Sequence, residues 1–521
     1  MMRPEILALN ANVAGWCDKR GTVGETPLHF QTITELSRQI QAGTLSPVAL
    51  TEHFLARIAA LNGALGAFRL VLAERALAEA EAAEAALRAG RSVGQLHGIP
   101  YALKDLFDVR GAPTTAGSNL LADNIAGEDA PVVARLAQAG MILLGKTVTV
   151  QFAFGGVGIN HHHGTPHNPW HATPHVPGGS SSGSAVAVAA GLAPMALGTD
   201  TGGSVRIPAA LCGITGLKTT VGQVSRAGVF PLSASLDSVG PLTRTAEDAA
   251  LVYQAIRSRD PADPSTGSDE ILSLRGAPFA TKQSLADGVR GLRLAFAESV
   301  FWDGVDPEVS AAVRACGPVF ADLGAHVTSI EFPEAAETER LNPRGIIGSA
   351  ECYAVHRERI ERHFADYDPI VGTRIMAAKQ ISAADYITTQ WAVADLRTRA
   401  VAALRDVDAL LVPTTMIPAV PVSQADASLE IYAQHNMRYL RNTSIGNGLG
   451  LCGLSVPCGF TAADLPIGLM IYAKPFQEEV ALRVGHAFQQ ATAWHRRTPN
   501  LPIYQSTNFP SQQSTNPGST T

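Results

Sequence analysis

Two serines stand 24 positions apart behind glycine runs, and a lysine lies upstream in an apolar segment. Ser204 closes Gly198-Thr199-Asp200-Thr201-Gly202-Gly203-Ser204 and is followed by Val205-Arg206-Ile207-Pro208-Ala209. Paired glycines lack Cβ and accept φ > 0, so consecutive N–H groups can curl toward one point beside the serine hydroxyl. A hydroxyl next to converging N–H donors suits attack on a carbonyl, because charge developing on oxygen needs a preorganised cradle. Ser180 stands in Pro177-Gly178-Gly179-Ser180-Ser181-Ser182-Gly183-Ser184-Ala185, and Lys104 in Gly98-Ile99-Pro100-Tyr101-Ala102-Leu103-Lys104-Asp105.

A serine hydroxyl is barely ionised near neutral pH, so a base must take its proton. None of the 15 histidines falls in a context that marks it as that base. Lys104 is the alternative. Its neighbours read as the end of a buried strand, burial strips an amine of hydration, and the neutral amine accepts a proton. Ser180 would stand between the two and relay the proton. Taken singly, a lysine before aspartate is commonly an ion-paired surface residue and Gly-Gly-Ser commonly a turn; the joint occurrence is what points to a nucleophile.

Two motif matches are decoys. Gly140-Met141-Ile142-Leu143-Leu144-Gly145-Lys146-Thr147 fits the phosphate-binding loop pattern, which needs an exposed glycine-rich turn. Its Met-Ile-Leu-Leu interior instead reads as a buried strand. Gly179-Ser180-Ser181-Ser182-Gly183 fits a nucleophile elbow centred on Ser181, but His175-Val176-Pro177-Gly178 before it reads as a loop where that elbow needs a strand. The histidines at 161, 162, 163, 167, 171 and 175 could ligate a metal. Their Gly, Pro, Asn and Trp neighbours indicate an irregular loop without a completing carboxylate or thiolate, a surface or pocket-lining loop whose position just before Ser180 suits a wall of the site entrance.

These groups need a frame to hold them. The 521 residues are 46% hydrophobic and 17% charged, enough for a large core in one big α/β domain or two to three ordinary ones. A net charge of −6 leaves no basic footprint for nucleic acid. Six cysteines without a C-x-x-C pair fit reduced thiols packed as small core residues in a cytoplasmic protein. Met1 to Arg20 holds no apolar signal core, and no apolar run reaches membrane-spanning length. Residues 1–25 read as a loose extension. Thr32-Ile33-Thr34-Glu35 has capping-box spacing, Ser46-Pro47 marks a helix start, and Val71 to Ala89 reads as a long surface helix. Short apolar runs alternate with helical patterns such as 129–138 from Gly98 onward. A Ser/Gly-rich stretch from Gly178 to Ser184 runs into Ala185 to Gly191, whose small residues predict a buried helix packed closely on a sheet. Residues 305–440 read as mostly helical, sheet texture returns over 446–471, and residues 504–521 read as a disordered tail.

With these motifs the chain resembles the amidase signature family of serine hydrolases, over roughly residues 30 to 500. The likeness extends to Leu96-His97-Gly98-Ile99-Pro100, Pro113-Thr114-Thr115-Ala116-Gly117-Ser118, Ser235-Leu236-Asp237-Ser238-Val239-Gly240-Pro241, Val456-Pro457-Cys458-Gly459-Phe460 and Leu465-Pro466-Ile467-Gly468. Ser182, where many members carry glycine, is a common variant. The resemblance implies an α/β fold, a single large domain over 26–503 with a central mixed β-sheet covered by helices on both faces. It implies a Ser–cisSer–Lys triad of Ser204, Ser180 and Lys104, whose serine interval is the family's usual one. The oxyanion hole would be the N–H groups of Thr201, Gly202 and Gly203. Asp200 and Arg206 would brace the loop as a charged pair, with Ser181 in support. The implied reaction is hydrolysis of the carbonyl–nitrogen bond of a small linear amide through a seryl acyl-enzyme. Aryl amides and carbamates fall within the same chemistry, and esters form a side activity. No metal or organic cofactor is implied. The expected partner is a small-molecule amide or carbamate, with no nucleic acid and no membrane, and homodimers are common among similar proteins. Two other readings share the motifs: the A-type component of a glutamyl-tRNA amidotransferase, which releases ammonia from glutamine, and a non-catalytic amidase-like binding protein. Intact triad positions weigh against the last.

Overall fold

The apolar runs divided by glycine and proline become strands. In the computed structural model, which describes residues 26–267 and 288–501, these are β1 (Phe68–Val71), β2 (Pro100–Lys104), β3 (Ile142–Thr147), β4 (Met195–Asp200), β5 (Thr215–Lys218), β6 (Ser238–Thr243), β7 (Arg293–Ala297), β8 (His326–Ile330), β9 (Ala409–Pro413), β10 (Cys452–Phe460) and β11 (Pro466–Ala473). They form one sheet of 11 strands in the order β1-β3-β2-β4-β6-β5-β10-β11-β9-β7-β8. The sheet is mixed: β2 runs parallel to β3 and β4, the centre is antiparallel, and β7 runs parallel to β8 and β9. Successive strand residues point to opposite faces. Every residue of β2, β3, β4, β5, β6, β9 and β11 is buried, so helices and loops cover both faces, as the α/β reading requires.

Local signals act where expected at the first helices. Thr32 and Glu35 form a reciprocal capping box on the helix Ile33–Gln41, and Ser46 caps Pro47–Leu65 with proline at its first position. The expected helix from Val71 begins only at Ala73, because Val71 is drawn into the sheet edge opposite Gly145. Its buried stripe is Ala76, Ala80 and Ala83. The phosphate-loop look-alike is the buried strand β3, and its Lys146 pairs with Asp105 at 2.7 Å. The segment 305–440 is mostly helical but contributes β8 and β9. Sheet texture begins later than the glycines imply, since the helix Leu429–Gly448 runs through Gly446, where the Tyr472 ring leaves no room for a side chain. Cys212, Cys316, Cys352, Cys452 and Cys458 are free and buried. Among the described residues no helix is long and apolar enough to cross a membrane. The readings of an extension over 1–25 and a tail over 504–521, and Cys17, lie outside the described residues.

The helix Ser182–Ala189 is buried along its whole length. Its close seat on the sheet depends on Gly183, where a Cβ would run into the Ala67 carbonyl and come within 2.7 Å of Val148 N. Both are main-chain atoms and cannot move aside. Gly183→Ala should therefore lower stability by about 1–3 kcal/mol, the usual range for an overpacked core. Gly63→Ala, in the helix Pro47–Leu65 with open space around it, should be neutral or raise stability by about 0.5–1 kcal/mol. Thermal melts of the two variants check the contrast.

Candidate active site

β2 lies between β3 and β4 with all three parallel, so their carboxyl ends open onto one crevice, the usual ligand position on such a sheet. Lys104 is the last residue of β2 and is fully buried. Its Nζ donates to Ser180 Oγ at 2.8 Å and to Thr199 Oγ1, on β4, at 2.8 Å. Loss of hydration lowers the amine from the usual lysine range to about 7, against the opposing pull of the Asp200 and Asp237 carboxylates. A substantial fraction of Lys104 is therefore neutral near physiological pH.

Ser180 follows a cis peptide bond from Gly179. Its carbonyl accepts from Thr149 Oγ1 at 2.9 Å and from the Val150 N–H at 3.2 Å. Ser181 N–H donates to the Ser204 carbonyl at 3.2 Å, which joins the two serine segments main chain to main chain. Ser181 is buried and its hydroxyl donates to the Thr199 carbonyl at 3.4 Å. The structure thus brings Lys104 and Ser180 into direct contact and sets the Ser204 backbone against them. The Ser204 hydroxyl itself has no hydrogen-bond partner among the described residues, and no bond closes between it and Ser180 Oγ.

Ser204 sits in the turn between β4 and the helix Arg206–Cys212. The N–H groups of Thr201, Gly202, Gly203 and Ser204 donate to no acceptor among the described residues. Gly203 has φ of 140°, and a Cβ there would overlap the Thr443 side chain; of the two glycines it is the one whose backbone demands the residue type. Asp200 and Arg206, both fully buried, pair through Oδ2–Nε and Oδ1–Nη2, each at 2.9 Å. Asp200 also accepts from the Val205 N–H at 3.1 Å and Asn447 Nδ2 at 3.0 Å. Burial alone would raise the Asp200 pKa, but the charge and hydrogen bonds of Arg206 outweigh it and hold the carboxyl well below the usual range.

The six histidines of the 161–175 loop go separate ways. His161 bonds Asp368 at 2.7 Å and Asp426 at 3.0 Å. His162 Nδ1 faces Asn119 N and Gln151 Nε2, and His163 faces Asn119 Oδ1. The His171 and His175 rings pack at a tilt of 42° with centroids 4.0 Å apart, and the His167 main chain bonds Leu65. No group of three His, Cys, Asp or Glu is set to hold a metal among the described residues.

Thr199, Asp237, Thr443 and Asn447 join the site without a role that the sequence announces. Thr199 could have been found by setting β4 beside β2, since Leu103 pairs with Leu197 and so places residue 199 next to the lysine. Asp237 accepts from Thr201 Oγ1 and from the N–H groups of Leu232 and Ser233. Thr443 and Asn447 lie one helical turn apart on Leu429–Gly448. Thr443 Oγ1 donates to the Gly202 carbonyl at 2.6 Å, but nothing local in sequence signals that contact. Beside Thr199 a cavity of 300 Å³ is walled by Arg226, Val229, Asp237, Ser238 and Val239 among others.

A buried lysine bonded to a serine, with a second serine in a turn whose N–H groups have no acceptor among the described residues, is an arrangement of the kind that can activate a hydroxyl. A family model described as Amidase matches residues 49–482. The A-type component of the glutamyl-tRNA(Gln) amidotransferase of Roseiflexus sp. is 38% identical over 502 residues, covering 92% of this chain and 100% of its own. The 2-amino-5-chloromuconic acid deaminase of Comamonas testosteroni is 37% identical over 449 residues, covering 86% and 93%. The solved peptide amidase of Stenotrophomonas maltophilia superposes with a TM-score of 0.76 at 31% identity, covering 91% of this chain and 100% of that one. The chain belongs to the amidase family, with its family-matched region spanning the lysine and both serines, and is an enzyme of carbon–nitrogen bond chemistry.

Proposed function

We propose that the protein is a stand-alone hydrolase of small linear amides, with Ser204 as nucleophile, Ser180 as relay and neutral Lys104 as base. The observation that carries this reading is the 2.8 Å bond from a fully buried Lys104 to Ser180, beside a free Ser204 hydroxyl. Ser204 Oγ attacks the carbonyl carbon while its proton passes through Ser180 to Lys104 Nζ. The relay needs a Ser204–Ser180 hydrogen bond in the substrate complex, where such bonds commonly tighten. The Thr201, Gly202 and Gly203 N–H groups receive the oxyanion, with the Ser204 N–H beside them. The tetrahedral intermediate collapses as the carbon–nitrogen bond breaks, and Lys104 returns the proton through Ser180 to the leaving nitrogen. Water, deprotonated along the same relay, then cleaves the acyl ester. Aryl amides and carbamates fit this sequence, and esters ask less of the protonation step.

A second reading is the A-type component of an amidotransferase, favoured by the full-length similarity to the Roseiflexus protein. The isolated chain should hydrolyse members of an amide, anilide and carbamate panel. Glutaminase activity that appears only with a second protein bound would reverse the choice.

Three outcomes test the roles. Ser204→Ala should abolish both turnover and labelling by a sulfonyl fluoride; labelling that survives would move the nucleophile elsewhere. The base must be neutral to accept a proton, so kcat/KM should rise with pH through about 7, where Lys104 titrates, and a flat profile from pH 5 to 8 would exclude it. Thr199→Val removes one of the two hydrogen bonds that aim Nζ, a loss of about 1–1.5 kcal/mol, read as a roughly tenfold fall in kcat.

A further inference from the structure

The histidine-rich loop holds one side chain whose surroundings define its state. His161 Nδ1 faces Asp368 Oδ2 at 2.7 Å, and its Nε2 faces Asp426 Oδ2 at 3.0 Å and Oδ1 at 3.1 Å. A carboxylate only accepts, so both ring nitrogens must carry protons and the ring is an imidazolium. Its two partners come from separate elements. Asp368 caps the helix Pro369–Ala377 through Oδ1, and Asp426 ends the turn Val422–Ala425.

Two short chains of contacts lead from this ring to Ser180. Asp368 N–H donates to Gln151 Oε1 at 3.0 Å, and the residue before Gln151, Val150, donates its N–H to the Ser180 carbonyl. On the other side of His161, Asn160 Nδ2 donates to the Thr149 carbonyl at 2.7 Å, and Thr149 Oγ1 donates to the same Ser180 carbonyl at 2.9 Å. Between them lie Phe152 and Ala153, non-glycine residues with φ of 52° and 58°. Such conformations persist only where the surroundings over-determine them.

We infer that His161, as an imidazolium clasped between Asp368 and Asp426, is a positioning residue that locks the 149–163 loop and so fixes Ser180 against Lys104. This rests on the amidase reading of the site and adds a residue to it. The clasp also has a pH limit. Its hydrogen bonds to Asp368 lead the causes that raise His161 to about 9, against the effect of burial. A raised pKa means the contribution is complete below the ordinary histidine value and is lost as pH climbs through about 9. The other charged and titratable groups near the clasp are His162 on the loop, Asp366 two residues before Asp368, and Arg374 and Tyr432, which interact with each other beside the two carboxylates.

The test is a kcat–pH profile on any anilide that the wild-type enzyme turns over. Wild type should give a bell, rising near 7 and falling near 9. His161→Gln should have a lower plateau and no fall near 9, because no proton is left to lose. His161→Arg keeps a permanent cation and should restore the plateau, again without the fall. Asp426→Asn, at a half-exposed partner, should move the fall to lower pH; it decides the matter if the Gln variant does not fold in a thermal melt. A Gln variant with wild-type plateau and an unchanged fall near 9 overturns the clasp while leaving the amidase reading intact. A wild type that turns over nothing and resists sulfonyl fluoride at Ser204 overturns the amidase reading itself.

Discussion

An amine without water around it is the condition on which the site depends. Lys104 must lose hydration to be a base, yet it lies near two carboxylates that would restore its charge. The fold blunts both. Asp200 is held by the Arg206 guanidinium, so its negative charge is largely neutralised before it reaches Lys104. Asp237 is bound by Thr201 Oγ1 and two N–H groups, and burial raises its own pKa. The residues that shape the Ser204 turn therefore also bear on the protonation of Lys104 on the neighbouring strand.

That arrangement has a cost. Removing an aspartate and an arginine from water is expensive, and a buried pair recovers the loss only if every remaining donor and acceptor is satisfied. Here Asn447 bridges the pair, donating to Asp200 and accepting from Arg206. Tyr472 accepts from Arg206 Nη1 at 2.9 Å and donates to the Asn442 carbonyl at 2.7 Å. The network joins β4, the turn, the helix Leu429–Gly448 and β11. A pair so fully bonded fixes one geometry of the turn, which matters where N–H groups must point at a developing charge before it exists.

The sequence discloses these parts unevenly. Glycine-flanked serines, the buried-strand setting of Lys104 and the capping box at Thr32 are local signals, read from neighbours a few positions away. The α/β class follows from alternating apolar runs. Contacts made across hundreds of positions leave no such trace. Thr443 reaching Gly202, Asn447 reaching Asp200 and Asn436 reaching Gly156 are all set by how one helix lies over the sheet. The same packing defeats the local pattern at Gly446, which opens the stretch read as sheet but sits inside a helix, as a glycine because the Tyr472 ring occupies the space a side chain would need. Val71 fails for the converse reason, since edge pairing with β3 outweighs the helical pattern that follows it.

The wall above the site holds the frame by main-chain atoms. Asn436 accepts from the Gly156 N–H at 2.7 Å, Thr443 donates to the Gly202 carbonyl, and Arg374 donates to the Phe154 carbonyl. Asn436, Tyr439 and Thr443 recur at helical spacing on one buried face of Leu429–Gly448, Tyr439 reaching the Pro418 carbonyl, so a single helix presents three such ties at once. Main-chain atoms are present whatever the side chain. A wall fastened in this way can exchange the side chains that face the cavity while the main-chain ties beneath them keep their geometry. His161 is the exception among these ties, because its bridge joins side chain to side chain and needs a charge. The wall is therefore most open to change in specificity where its anchors are peptide groups, and least so at that one ring.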